Sequence, residues 1–336
     1  MLHIVEDTRF QPPAWLRNPH LQSILPTLPP LKQLARWRAR ALVGGAEEWL
    51  LDCGAGARLQ AWHTPAAPEA GAARAAPGRV ALLLHGWEGS ATAGYVLSLA
   101  AELRSRGYAI VRLNLRDHGD THHLNSGLFH SCRLPEVIGA VRAIAARVAP
   151  RRLYAAGFSL GGNFLLRVAA SGQAPATLAG VVAISPVLEP ARTLEAMEHG
   201  LPVYERYFVR KWLKSLRLKE RHWPEHYDID ATLTDRTLRG MTADLVVRHT
   251  EFPTLDDYLS GYAITGERLA SLACPAWILT AADDPIIPAG DLERLAPSPR
   301  LEIVRTPHGG HCGFVERPGR PSFADRFVLE SFDAIG

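Results

Sequence analysis

The chain reads as an α/β protein built on a mostly parallel sheet with helices on both faces. Short apolar runs of strand length alternate with helical stretches from residue 80 onward. Those runs are continuous instead of alternating, as strands covered on both faces are. With 336 residues, 47% hydrophobic and 21% charged, the chain can bury a sizeable core. A net charge of only +3 makes no case for nucleic acid or for acidic partners in general. Residues 1–20 lack the basic, apolar, small-residue order of a secretory leader, and no apolar run is long enough to cross a bilayer. A soluble, cytoplasmic protein is therefore expected. Cys53, Cys132, Cys274 and Cys312 are far apart, so neither a disulfide framework nor a metal site is expected.

The elements follow in order. Residues 1–46 form an N-terminal arm rich in Pro and Leu, and residues 47–52 and 58–63 read as a hairpin across Gly54-Ala55-Gly56. Residues 65–78, rich in Ala, Pro and Gly, read as a surface loop. Strands are predicted at 80–84, 109–115, 153–156, 179–184, 276–280 and 301–304, and helices at 93–106, 135–148, 164–170 and 323–332. Residues of about 187–265 break the rhythm and read as a helical cap inserted between two core strands. Within it Tyr204, Tyr207, Phe208, Trp212, Leu213 and Leu216 recur at helical spacing among Arg206, Arg210, Lys211, Lys214, Arg217, Lys219 and Arg221. The preferred reading is a cap helix with its aromatic stripe inward and its charges in water. The other is contact with anionic lipid or an acidic substrate. No internal repeat is evident.

The chemistry centres on Gly157-Phe158-Ser159-Leu160-Gly161, a G-x-S-x-G pattern between an apolar run and a helical one. A serine on a sharp strand-to-helix turn needs small residues two places before and after it, here Gly157 and Gly161. The helix start behind it points N–H groups at developing negative charge. Such a serine needs a base, an orienting acid and an oxyanion hole, all at the C-terminal ends of strands. Ala282-Asp283-Asp284-Pro285 supplies the acid after one late strand, with Asp284 preferred over Asp283. His308-Gly309-Gly310-His311-Cys312-Gly313 supplies the base after the last, with His311 preferred because glycines flank it. His85-Gly86-Trp87-Glu88-Gly89 follows the first core strand, where Gly86 lets the chain bend so that the Trp87 N–H joins that of Leu160 as oxyanion donors. His85 reads as a structural turn residue, and His122 and His123 as loop residues without a metal motif.

The order Ser, Asp, His, with H-G-x-x-G and the elbow, resembles the α/β-hydrolase superfamily. Asn18-Pro19-His20-Leu21-Gln22-Ser23, Phe129-His130-Ser131, Asp257-Tyr258 and Gly309-Gly310-His311-x-Gly313-Phe314 further resemble its YheT-like branch, over nearly the whole chain. One loop departs: Asn114-Leu115-Arg116-Asp117-His118-Gly119-Asp120 stands where the branch usually has R-G-x-G. The resemblance implies a single α/β-hydrolase domain over 1–336, and a serine esterase or lipase acting on carboxylic esters without a cofactor. Acyl transfer to an alcohol through the same acyl-enzyme is the alternative, and a non-catalytic binding protein on the same fold the alternative from another class. The expected partner is a small ester, lipid-like esters among them, with no nucleic acid, no membrane span, and peripheral membrane contact through the cap left open.

Overall fold

The protein is described by a computed structural model over residues 3–66 and 78–335. Its strands are β1 (Ile4–Glu6), β2 (Glu47–Asp52), β3 (Arg58–Thr64), β4 (Arg79–Leu84), β5 (Ala109–Leu113), β6 (Arg152–Phe158), β7 (Leu178–Ile184), β8 (Ala276–Ala281) and β9 (Leu301–Thr306). They form one sheet in the order β1-β9-β8-β7-β6-β4-β5-β3-β2. All neighbours are parallel except around the hairpin, where β2 pairs antiparallel with β3 and β3 with β5.

The apolar runs become central strands because each strand sends successive side chains to opposite faces. In β4, Val80, Leu82 and Leu84 join one buried cluster while Ala81 and Leu83 join the other. In β6, Leu153 and Ala155 face the first cluster, and Tyr154, Ala156 and Phe158 the second. The helices covering these faces are α1 (Pro19–Ile24), α2 (Pro29–Arg38), α3 (Arg40–Gly44), α4 (Gly94–Ser105), α5 (Leu134–Val148), α6 (Leu160–Ala170), α7 (Pro190–His199), α8 (Pro202–His222), α9 (Ile229–Thr232), α10 (Leu238–His249), α11 (Leu255–Gly261) and α12 (Phe323–Ile335). Side chains of α5 and α6 bury against the first face, and those of α4 and α12 against the second. The stretch from α7 to α11 lies between β7 and β8, with a small core of its own around Leu216, Tyr227, Ile229, Met241 and Leu245.

Three readings of the sequence need correction. Nothing in the arm predicts a strand, yet Ile4 pairs with Ile303 and Val5 with Val304 at the sheet edge. Three residues carry no period; β1 exists because β9 presents an open edge. The strand predicted at 109–115 ends at Leu113, where the Asn114 N–H donates to the Gln60 carbonyl at 2.8 Å and the chain turns into a loop. The short runs at 153–156 and 301–304 extend to full strands because their partners continue on both sides. The loop read at 65–78 lies for the most part outside the described residues. Among the described residues no helix is long and apolar enough to cross a membrane.

Candidate active site

Ser159 closes β6 and precedes α6 with φ 51° and ψ −120°, a conformation that non-glycine residues rarely adopt. The turn closes only around glycines. A Cβ on Gly157 would stand 2.5 Å from the Gly161 carbonyl carbon, and one on Gly161 would stand 2.4 Å from the His85 carbonyl oxygen. The strained serine is held from both sides: its N–H donates to the Ile184 carbonyl at 2.8 Å, and its own carbonyl accepts from the Asn163 N–H at 3.1 Å. Asn163, fully buried, ties the helix start to the cap by donating to the Val187 and Tyr262 carbonyls at 2.9 and 2.8 Å.

His311 and Asp284 reach this serine from loops after β9 and β8. The Nε2 of His311 lies 3.1 Å from Ser159 Oγ, and its Nδ1 lies 3.0 Å from Asp284 Oδ2. The side chain of Asp284 has no solvent exposure, and its other oxygen accepts from the Ile286 and Ile287 N–H groups at 2.8 and 2.9 Å. With both oxygens engaged, the carboxylate fixes the imidazole's tautomer and ring plane. Asp283 does different work. It accepts from the Gly310 N–H at 2.9 Å and stands 3.4 Å from His308 Nδ1, so it shapes the loop carrying His311. Burial opposes a charge on His311, but the Cys312 sulfur and the Asp284 carboxylate beside it outweigh burial and hold its pKa above the ordinary imidazole range.

Gly86 approaches the elbow closely, a Cβ there meeting the Ser159 Cβ at 3.2 Å. Its N–H donates to the Tyr95 hydroxyl at 3.1 Å, while the Glu88 N–H donates to His118 Nε2 at 3.0 Å. These two bonds hold the Trp87 peptide between them. Leu160 is the first residue of α6, so its N–H has no partner within the helix. His85 is wholly buried: its Nδ1 is 2.7 Å from the Gly86 carbonyl, and its Nε2 accepts from the Leu115 N–H at 3.2 Å. Tyr95 belongs to no local pattern, and His118 stood out only as part of the departing loop, without a role.

The N-terminal motif turns out to grip the histidine loop. Gln22, fully buried, donates to the Val315 and Leu16 carbonyls and accepts from the Val315 N–H at 2.7 Å. Ser23 Oγ accepts from the His311 N–H at 2.8 Å. A Cβ on Gly310 would meet the Pro19 carbonyl oxygen at 2.3 Å, so that glycine allows the arm to close over the loop. The motif was visible in the chain, but nothing in it announced a partner nearly 290 residues away.

A cavity of about 430 Å³ opens above Ser159, lined also by His311, Trp87 and Leu160. Its cap wall is largely apolar, with Leu194, Met197, Leu238, Leu245 and Leu259. The departing loop contributes Asp117 and His118 to the lining. The aromatic stripe of α8 does turn inward, onto the buried clusters and the cavity: Phe208 stacks on Trp87 at 5.2 Å and 11°, and Trp212 meets the same ring edge-on at 5.2 Å. The reading of its charges needs correction, because not all of them are in water. Lys219 is wholly buried and donates to Asp117 at 2.8 Å and to the Asn125 and Gly127 carbonyls at 2.6 and 2.9 Å. Burial pushes Asp117 up and Lys219 down, while their attraction works the other way. Among the described residues no group of three or more His, Cys, Asp or Glu could hold a metal ion. His122 lies on a loop, its Nε2 2.8 Å from Ser215 Oγ.

The alpha/beta hydrolase family model matches residues 81–321. The chain belongs to the α/β-hydrolase family. Within it the chain is YheT-like: it is 26% identical over 244 residues to the YheT protein of Escherichia coli (strain K12), covering 70% of each. It is likewise 26% identical over 260 residues to Phospholipase ABHD3 of Mus musculus, covering 76% of this chain and 63% of that one. The chain thus spans less than two thirds of that hydrolase's length. The Pyrococcus furiosus esterase Pf2001 superposes with a TM-score of 0.53 at 14% identity, over 86% of this chain and 88% of that one, which is a likeness of fold.

Proposed function

We propose that this chain is a serine hydrolase of carboxylic esters, working through an acyl-enzyme on Ser159. One observation carries the reading: a single imidazole, that of His311, is within hydrogen-bond reach of Ser159 Oγ on one nitrogen and of a buried carboxylate on the other. His311 Nε2 takes the hydroxyl proton as Ser159 Oγ forms a bond to the ester carbonyl carbon. The carbonyl oxygen becomes an oxyanion, received by the N–H groups of Trp87 and Leu160. The C–O bond to the alcohol then breaks, and His311 hands its proton to the departing oxygen. Water enters by the same route in reverse: His311 takes its proton, its oxygen attacks the acyl carbon, and Ser159 Oγ leaves with the proton returned. Asp284 stays charged throughout and stabilises the imidazolium.

The mostly apolar wall of the cavity suits an acyl chain, and the similarity to Phospholipase ABHD3 supports the same chemical class. The decisive experiment is Ser159→Ala measured on p-nitrophenyl esters of rising chain length. Turnover is expected to fall by about a millionfold, as when a triad serine is removed from other hydrolases. Retention of even a tenth of the rate would end the proposal. The chain length giving the highest kcat/KM would report the depth of the acyl pocket.

A further inference from the structure

The rim of the cavity above Ser159 carries three cations from two elements distant in sequence. Lys32 and Arg36 stand four residues apart on α2, on one face of that helix, and Lys211 comes from α8. The chain has four lysines in all, Lys32, Lys211, Lys214 and Lys219, and two of them are here. Among the described residues none of the three makes an ion pair with a carboxylate, although Arg38 on the same helix pairs with Glu102 at 3.1 Å. Lys211 donates to the backbone carbonyl of Glu88 and lies 5.3 Å from the centre of the Tyr207 ring. Partial burial, Arg36 and Lys211 together lower the pKa of Lys32, so the three cations feel one another. Of the two carboxyl groups in the lining, Asp117 is taken by the buried Lys219, and that of Glu88 is raised by burial to about 7, which leaves it a weak counter-charge at neutral pH. The start of α4 adds potential of the same sign, since Ala93, Gly94 and Tyr95 line the rim and no side chain caps the helix.

Packing like charges at a cavity mouth costs free energy that a bound anion returns. Resting on the esterase reading above, we propose that Lys32, Arg36 and Lys211 form a specificity site for an anionic group, phosphate or carboxylate, carried by the ester that Ser159 attacks. Ser23 meets the His311 N–H, while Pro26 and Lys32 both lie beside Gly94, so the segment from Ser23 to Lys32 leads along the lining from the catalytic loop to the rim, and the anion belongs on a part of the substrate away from the reacting carbonyl.

The test compares kcat/KM within two matched pairs. A 1-acylglycerol against the same 1-acylglycerol 3-phosphate places a phosphate on the alcohol side. p-Nitrophenyl butyrate against the mono-p-nitrophenyl ester of glutarate places a carboxylate on the acyl side. The anionic member of at least one pair is expected to be preferred by about tenfold or more, the size of one or two charge-assisted hydrogen bonds. Which pair shows the preference identifies the source of the charge. The anionic-to-neutral ratio should fall towards one in the double variant Lys32→Gln/Arg36→Gln and should shrink with added salt. A ratio at or below one in both pairs for the unmodified protein, or a ratio the double variant does not lower, overturns the proposal. Should the protein turn over no ester at all, the esterase reading fails instead, and calorimetry with hexyl phosphate decides the anion site. Binding lost in the double variant upholds it, and no binding to the unmodified protein overturns it.

Discussion

Ser159, His311 and Asp284 form a chain of hydrogen bonds in which each group limits the freedom of the next. The two adjacent aspartates differ in what they touch, one facing His311 and the other the backbone of its loop. Asp284→Asn is therefore expected to lower kcat by about ten-thousandfold, near the effect of removing the acid of a triad. Asp283→Asn should cost far less, and equal losses would show that the assignment is wrong. The pH profile follows from the direction in which His311 is shifted. In the mechanism proposed above the imidazole must be neutral to accept the serine proton, and its pKa is held high, so kcat/KM should fall as pH drops through a value above the ordinary ~6.5. In Asp284→Asn that acid limb should move down, because a group favouring the imidazolium is gone. A limb below 6.5 in the unmodified protein would contradict the electrostatics described here.

At the scale of elements, α8 is held to the loop after β5 by Lys219, which reaches Asp117 and two carbonyls. The same loop passes Asp117 to the Phe129 N–H at 2.8 Å and joins Arg116 to Glu136 through two buried hydrogen bonds. A buried pair of this kind adds little net stability over a well-packed apolar one, but breaking it strands a charge. Lys219→Ala should therefore lower unfolding stability by about 3 kcal/mol, read from chemical denaturation. Loss of the α8 anchor also frees Phe208 and Trp212 from Trp87, so kcat/KM should fall along with stability. A variant as stable as the parent would mean that the loop and α8 are held by their apolar contacts alone. Helical spacing alone could not single out this lysine: it predicts one inward face but not which of seven cations is buried against a carboxylate across the chain.

Over the whole molecule, the N-terminal arm closes the structure by adding β1 to the sheet edge and clamping the last loop through Gln22. Gln22→Ala leaves the Val315 N–H and C=O without these partners in a buried place, which is expected to cost roughly 2–4 kcal/mol for the two. Its effect on kcat for esters should exceed its effect on KM, since the loop that loosens carries His311. Thermal unfolding together with a kcat and KM comparison checks both halves. The strand and helix pattern, the elbow, and the order of Ser159, Asp284 and His311 were all legible in the chain, because each rests on neighbours a few residues apart. The turn at Ser159 needs glycines two places away, and a buried strand needs an unbroken apolar run. Contacts between distant segments were not legible: the edge strand β1, the grip of Gln22 and Ser23 on the His311 loop, the buried Lys219, and the meeting of Lys32 and Arg36 with Lys211. Their partners are set by how the sheet brings remote loops to one end, and local sequence carries no record of what folding will place opposite a given side chain.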